Sequence, residues 1–113
     1  MDQIELLSKK IFDVLDSKKA LDLMVLSVKG ISTIADYFII ATGTSTTHIG
    51  ALCDYVEKEL AKEGIHLSHK EGKVTGGWLL LDFKDVVVHI FSAETRDYYA
   101  LERIWNDAPR IDM

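Results

Sequence analysis

The sequence contains few of the residues that stabilise small secreted domains or mark a membrane protein. Its 113 residues include one proline and a single cysteine, Cys53, which cannot form an internal disulfide and supplies no metal cluster. No apolar run approaches the roughly 18 residues that a membrane span needs. The N-terminal residues Met-Asp-Gln-Ile-Glu lack the basic and apolar regions of a signal peptide. These absences predict a cytoplasmic protein. The position of Cys53 on an apolar helical stripe predicts that it lies in the core.

Basic residues are fewer than acidic residues in this sequence. Eighteen acidic against thirteen basic residues give a formal net charge of −5 at pH 7. Adjacent basic residues occur only as two isolated pairs, Lys9-Lys10 and Lys18-Lys19, and form no stripe of the kind that binds nucleic acid. The average surface therefore repels phosphate and favours a basic partner over RNA. With 48% hydrophobic residues, the chain has the composition of one globular domain spanning residues 1–113.

The apolar pattern of the first half predicts alternating helices and strands. Three-and-four spacing from Ile4 to Leu15 predicts a helix over about residues 2–17. Two short apolar runs, residues 23–28 and 37–41, are typical of strands buried on both faces. The polar cluster at residues 42–47 then predicts the start of a second helix, with Gly64 as its C-terminal cap. Residues 65–68 are a candidate short strand, and residues 71–77 are expected to form a flexible loop.

The strongest pattern in the second half is a β-hairpin over residues 77–91. Two strand-forming runs, residues 78–83 and 86–91, are separated only by Lys84-Asp85. One of the two hairpin faces must be core, and alternation places Trp78, Leu80 and Asp82 on the same face. A last helix is expected over residues 93–107, with Ser92 as its N-cap. The element order predicts a mixed α/β (α+β) fold, with about five strands flanked by helices.

Two arrangements bear on phosphate chemistry. The turn Gly43-Thr44-Ser45 precedes a helix, and backbone N–H groups at such a position can hold a phosphate. However, the phosphate-loop lysine is missing, and Ser and Thr are common N-caps, so capping is the favoured interpretation. A nucleotidyltransferase would also need two carboxylates one residue apart for magnesium, whereas Asp82 and Asp85 are separated by two residues. We therefore predict no catalytic carboxylate pair and no metal site.

Two side chains of the hairpin suggest binding. His89 lies in an apolar run, where it could be a satisfied core histidine, an interface donor or a catalytic base; the first two are favoured. Trp78 beside Leu80 has the composition of an interface hot spot if its face is open. Packing of Trp78 under a helix is an equally good interpretation.

Several long segments, in order, resemble the ribosomal silencing factor (iojap) family. They are DYFIIATGTS at residues 36–45, EG at 71–72, GWLLLD at 77–82, DVVVHIF at 85–91 and RDYYALERIW at 96–105. The resemblance implies a nucleotidyltransferase-like fold without its catalytic carboxylates. It also implies binding to the large-subunit ribosomal protein uL-fourteen at the intersubunit face, which blocks subunit joining and represses translation when nutrients are scarce. No cofactor is implied, and a homodimer is possible.

Within that resemblance, we assign a protein-interaction surface to the hairpin and the last helix. The apolar anchors are Trp78 and Leu80. The carboxylates that meet Lys or Arg of the partner are Asp82 and Asp85, and further polar contacts come from His89 and Tyr98. Two alternatives remain. One is a nucleotide-binding or residual nucleotidyltransferase enzyme that uses the Gly43-Thr44-Ser45 turn, and the other is a direct RNA binder.

Overall fold

A mixed β-sheet forms the centre of the computed structural model, which describes residues 2–33, 35–99 and 108–113. Within these residues the elements are α1 (Gln3–Ser17), β1 (Leu21–Ser27), β2 (Tyr37–Gly43), α2 (Thr46–Ala61), β3 (His69–Lys73), β4 (Trp78–Asp82), β5 (Val86–Ser92) and α3 (Ala93–Tyr99). The strand order is β1-β2-β5-β4-β3, with β2 and β5 parallel and the other pairs antiparallel. The predicted mixed sheet with flanking helices is therefore confirmed.

Side-chain caps fix where the first two helices begin. Asp2 accepts a hydrogen bond from the backbone N–H of Glu5 at 2.8 Å, and Ser45 accepts one from the N–H of His48 at 3.0 Å. Each cap satisfies a backbone donor that the first turn of a helix leaves without a partner. At the far end of α2, Gly64 adopts a left-handed conformation with φ +76°, as predicted for a cap glycine.

The main core lies between the sheet and the two helices α1 and α2. Its buried members include Ile11 and Leu15 of α1, Leu52 and Val56 of α2, and Ile39 of the sheet. Cys53 also belongs to this cluster, as predicted, and burial raises the pKa of its thiol to about 11. The thiol is therefore protonated at neutral pH and behaves as an apolar side chain. Within the described part of the chain, no helix is long and apolar enough to cross a membrane.

The third strand differs from the sequence prediction. Residues 65–68 form no strand, and the expected loop is instead β3, followed by a short 3₁₀ turn, Val74–Gly76. All five β3 residues are exposed. The strand is held by its backbone pairing to β4, in which Gly72 lies opposite Leu79. A strand without a buried face has no apolar alternation, so the hydrophobic pattern did not reveal it.

The first strand begins earlier than predicted and is less buried. Only Val25 and Leu26 of β1 are fully buried, because β1 lies at the edge of the sheet. The C-terminal residues cover that edge. The N–H of Ser27 donates to the carbonyl of Pro109, and the N–H of Ile111 donates to the carbonyl of Val25, each at 2.9 Å. The buried β2 strand, in contrast, agrees with the prediction on both faces.

The predicted hairpin is confirmed as β4 and β5, with Trp78 opposite Phe91 and Asp82 opposite Val87. Its turn places Lys84 at φ +75°, a backbone conformation that residues other than glycine rarely adopt. The Oδ1 atom of Asp82 accepts from the N–H of Lys84 at 2.7 Å and so stabilises that turn. The face with Leu79 and Leu81 points into the main core, and the Trp78 face lies on the other side.

Helix α3 begins where predicted, and the hydroxyl of Ser92 accepts from the N–H of Thr95 at 3.2 Å. The hydroxyl of Thr95 in turn accepts from the N–H of Ser92 at 3.1 Å, which is a reciprocal capping arrangement. The expected continuation over residues 100–107 lies outside the described residues.

Candidate protein-interaction site

The sheet face opposite α1 and α2, here called the outer face, carries the predicted interaction residues of β4. Strand register arranges its side chains in rows that run across the sheet. One row joins Met24, Ile40, His89, Leu80 and Glu71, in that order from β1 to β3. His89 therefore lies at the middle of the outer face, with Leu80 beside it on the neighbouring strand.

Aromatic side chains pack closely along the centre of this face. The indole of Trp78 stacks on the ring of Phe91, with centroids 5.5 Å apart and planes 17° apart. The ring of Phe38 meets His89 edge-on at 5.1 Å. Such arrangements are worth about 0.5–1.5 kcal/mol beyond the burial of the rings. They hold Trp78 in one position while leaving it half-buried, like Leu80. The outer face is thus rigid and partly open at β4.

His89 is a core residue with one hydrogen bond. It is 5% exposed, and burial lowers its pKa to about 4, so the ring is neutral at pH 7. The Nε1–H of Trp78 donates to Nδ1 of His89 at 3.3 Å. An indole nitrogen only donates, so Nδ1 must be the acceptor and the proton resides on Nε2. Among the described residues, that buried Nε2 has no hydrogen-bond partner. His89 thus contacts Trp78 from the neighbouring strand and is itself almost entirely buried.

The two predicted carboxylates lie in different surroundings. Asp82 is half-buried on the outer face, and one of its oxygens is engaged by the turn at Lys84. Asp85 is exposed beyond the strand end and borders a groove with Gln3 and Ile4 of α1, on the helix side of the sheet. The structure therefore groups Trp78, Leu80 and Asp82 and separates Asp85 from them. The side chain of Tyr98 lies outside the described residues.

Glu71 is a candidate site residue to which sequence reasoning gave no role. It borders a cavity of about 230 Å³ whose described lining residues are Glu71, Gly72, Trp78 and Leu80. The register of β3 on β4 brings Glu71 directly opposite Leu80. The pair Glu71-Gly72 was part of the family resemblance, but only the strand pairing places it beside the two apolar anchors.

The Gly43-Thr44-Ser45 turn serves the packing of α2. Ser45 caps the helix, and the N–H of Thr44 donates to Nδ1 of His48 at 2.9 Å. A Cβ atom on Gly43 would lie 2.6 Å from Cγ1 of Ile49, so glycine is needed here for close contact between strand and helix. The capping interpretation is confirmed, and two of the groups that would meet a phosphate are already engaged.

The acidic residues of the hairpin also lie far from that turn. Gly43 pairs with Ser92 at one end of β5, whereas Asp85 precedes the other end. Seven residues of strand span about 20 Å. A phosphate held at Gly43 would therefore lie too far from Asp82 and Asp85 for a shared metal ion, which needs ligands at about 2.0–2.1 Å.

The chain resembles known proteins in both sequence and structure. The sequence model described as "Ribosomal silencing factor during starvation" (RsfS) matches residues 1–113. Ribosomal silencing factors from Halalkalibacterium halodurans and Bacillus subtilis are each 40% identical, over 89% and 87% of this chain and 86% and 83% of their own lengths. The crystal structure of a protein from Chromobacterium violaceum has a TM-score of 0.88 at 32% identity, covering 93% of this chain and 88% of that one.

Proposed function

Because the chain belongs to the ribosomal silencing factor family, we propose that it binds the large ribosomal subunit and blocks joining of the small subunit. The contact is made with the ribosomal protein uL-fourteen at the intersubunit face. An occupied intersubunit face excludes the small subunit sterically, and translation falls under nutrient limitation. The protein acts in the cytoplasm, where ribosomes assemble into translating complexes.

The observation that carries this proposal is the half-buried pair Trp78 and Leu80 on a rigid strand of the outer face. Interface hot spots are enriched in tryptophan held in a packed, largely desolvated setting. Asp82 and Glu71 border the pair, and the chain carries a net charge of −5. Ribosomal proteins are basic, so the two surfaces attract during encounter. Asp85, from its separate position, contributes to the general acidic field.

We propose that this action needs no catalysis and no cofactor. The engaged donors of the Gly43 turn and the distance between that turn and the hairpin carboxylates both support binding as the mode of action. Among the described residues, no group of three or more His, Cys, Asp or Glu side chains could hold a metal ion.

A homodimer is a further part of the proposal. The strand order ends at β3, and all five of its residues are exposed, so its outer backbone edge is accessible to a second copy. Sedimentation equilibrium at several protein concentrations tests self-association directly.

Co-sedimentation with purified large subunits tests the ribosomal proposal. We expect the wild-type protein to bind, and both Trp78→Ala and Asp82→Lys to bind at least tenfold more weakly, as is usual for an interface anchor. Tyr55→Ala is the matched control, because Tyr55 is an aromatic residue 38% exposed on α2, on the other side of the sheet. Undiminished binding by folded Trp78→Ala and Asp82→Lys variants would show that this surface is not the one used.

A second arm tests the consequence of binding. Added in excess over large subunits, the wild-type protein should lower the yield of joined ribosomes in a sucrose gradient, and the Trp78→Ala variant should not. Binding to naked ribosomal RNA with a steep inverse dependence on salt would instead support direct RNA recognition.

A further inference from the structure

We infer that the cavity between β3 and β4, here called the Glu71 pocket, receives one long basic side chain of the docking ribosomal protein. The described residues of the pocket are Glu71, Gly72, Trp78 and Leu80. Glu71 acts as the charge partner of that side chain and determines specificity. This inference rests on the proposed function and adds to it a residue, a pocket and the chemistry of the occupant.

Backbone geometry requires a glycine in the wall of the pocket. Gly72 has φ +93°, and a Cβ atom there would collide with the carbonyl oxygen of Trp78. Residue 72 therefore has to be glycine, which lets the backbones of β3 and β4 approach closely beside the pocket. The cavity of about 230 Å³ is smaller than the roughly 300–1,000 Å³ of typical small-molecule sites. Its size suits one inserted side chain.

The walls of the pocket match the two parts of a lysine or arginine side chain. Trp78 and Leu80 offer apolar surface, along which an aliphatic stem can lie. The carboxylate of Glu71 lies at the rim, and its side chain is 64% exposed, so it can meet a cation without a large cost of desolvation.

Among the charged residues near the pocket, Glu71 is the one placed to pair with the incoming cation. Lys70 points to the other side of the sheet, where its Nζ lies 3.0 Å from Glu57 of α2. His69 shares the face of Glu71, and its Nε2 lies 2.8 Å from the Glu71 carboxylate. Lys73 lies two residues further along the same exposed face but does not line the pocket. Asp82 and Glu71 each have one oxygen engaged, by the hairpin turn and by His69 respectively. Glu71 is the one that lines the pocket, directly opposite Leu80, and its other oxygen is the group that meets the partner's cation.

The test compares Glu71→Gln with Glu59→Gln in binding to purified large subunits. Glu59 is the matched control because it is a partly exposed glutamate on α2 whose partner is Lys62. We expect Glu71→Gln to weaken binding about threefold to fivefold, the size of one exposed ion pair, and to flatten its dependence on salt. Glu71→Lys should weaken it more than tenfold through repulsion. Glu59→Gln should bind like the wild type.

The outcomes separate this inference from the proposal on which it depends. If the wild-type protein fails to bind large subunits, the proposed function is wrong. If the wild type binds and Glu71→Gln binds equally well with the same dependence on salt, only the role of the Glu71 pocket is overturned. Stronger binding by Glu71→Gln would also overturn it, because loss of a carboxylate favours contact with a phosphate backbone. Unchanged urea denaturation midpoints of the variants establish that folding is intact.

Discussion

The indole N–H of Trp78 donates to Nδ1 of His89, which joins a half-buried surface side chain to a buried neutral imidazole on the adjacent strand. The bond depends on an unprotonated Nδ1, because an imidazolium has two donors and no acceptor. The position of Trp78 on the outer face is therefore linked to the protonation state of His89 on the neighbouring strand.

The first prediction concerns how the stability of the folded protein depends on pH. The pKa of His89 is about 4 in the folded protein, below its ordinary value of 6.5, so the unfolded chain binds the proton more tightly. Stability is then fully present above pH 6.5 and is lost as the pH falls towards 4. We expect His89 to account for a loss of about 2 kcal/mol between pH 7 and pH 5.

Urea denaturation at the two pH values measures this effect. The His89→Gln variant lacks the titrating ring and should lose less stability over the same interval than the wild type. An equal loss in both proteins would show that His89 does not carry the pH dependence.

The second prediction concerns Ser8 of α1, which is fully buried and whose Oγ has no hydrogen-bond partner among the described residues. Replacement by alanine removes a buried polar group that lacks compensation, so Ser8→Ala should raise the free energy of unfolding by about 1 kcal/mol. Ser17→Ala, on the exposed end of the same helix, is the control and should stay within about 0.5 kcal/mol of the wild type. Destabilisation by Ser8→Ala would mean that its hydroxyl is satisfied in solution.

The third prediction uses two adjacent glycines. Gly77 has φ +72°, and a Cβ atom there would lie 2.8 Å from the hydroxyl of Ser92, whereas a Cβ on Gly76 would meet nothing within 4 Å. The carbonyl of Gly77 also accepts from Thr95 and from the N–H of Ser92, which ties the start of α3 to the hairpin. Gly77→Ala should cost about 1–3 kcal/mol of stability, and Gly76→Ala should cost less than about 0.5 kcal/mol.

Thermal and urea unfolding of the two variants provide the comparison. Loss of α3 contacts in Gly77→Ala should also shorten hydrogen-exchange lifetimes at residues 93–96. Similar stabilities for the two variants would show that the strain at Gly77 is relieved elsewhere.

The fourth prediction concerns Ser45. Loss of the cap in Ser45→Ala should reduce stability by about 1 kcal/mol. Calorimetry with magnesium and nucleoside triphosphates should give no binding heat for the wild type or the variant. Micromolar binding that the substitution abolishes would favour the nucleotide-binding alternative.

Sequence patterns predicted the elements whose stability comes from burial. Helices α1 and α2, the buried strand β2 and the hairpin all show clear apolar periodicity, and the caps at Ser45 and Ser92 follow from the chemistry of helix ends. Helix α1, which is capped by Asp2, likewise begins within one residue of its predicted start. In each of these cases the local pattern and the tertiary packing favour the same structure.

The sequence was less informative wherever backbone pairing decides the structure. Strand β3 consists of polar residues and glycine, and its partner β4 lies beyond a turn, so no local signal indicated the pairing. The same pairing brings Glu71 to Trp78 and Leu80. The register also places His89 at the centre of the outer face, where it is buried. Alternation alone did not show which face of the hairpin belongs to the core.

The cover that residues 109–111 form over β1 limits how copies of this chain can associate. Of the two sheet edges, β1 is bonded at Val25 and Ser27 to the protein's own C-terminal segment, and the other, β3, is exposed. Growth of a continuous intermolecular sheet requires two available edges on each molecule. If copies associate edge to edge through β3, the assembly is therefore expected to end with two molecules and not to extend into a fibre.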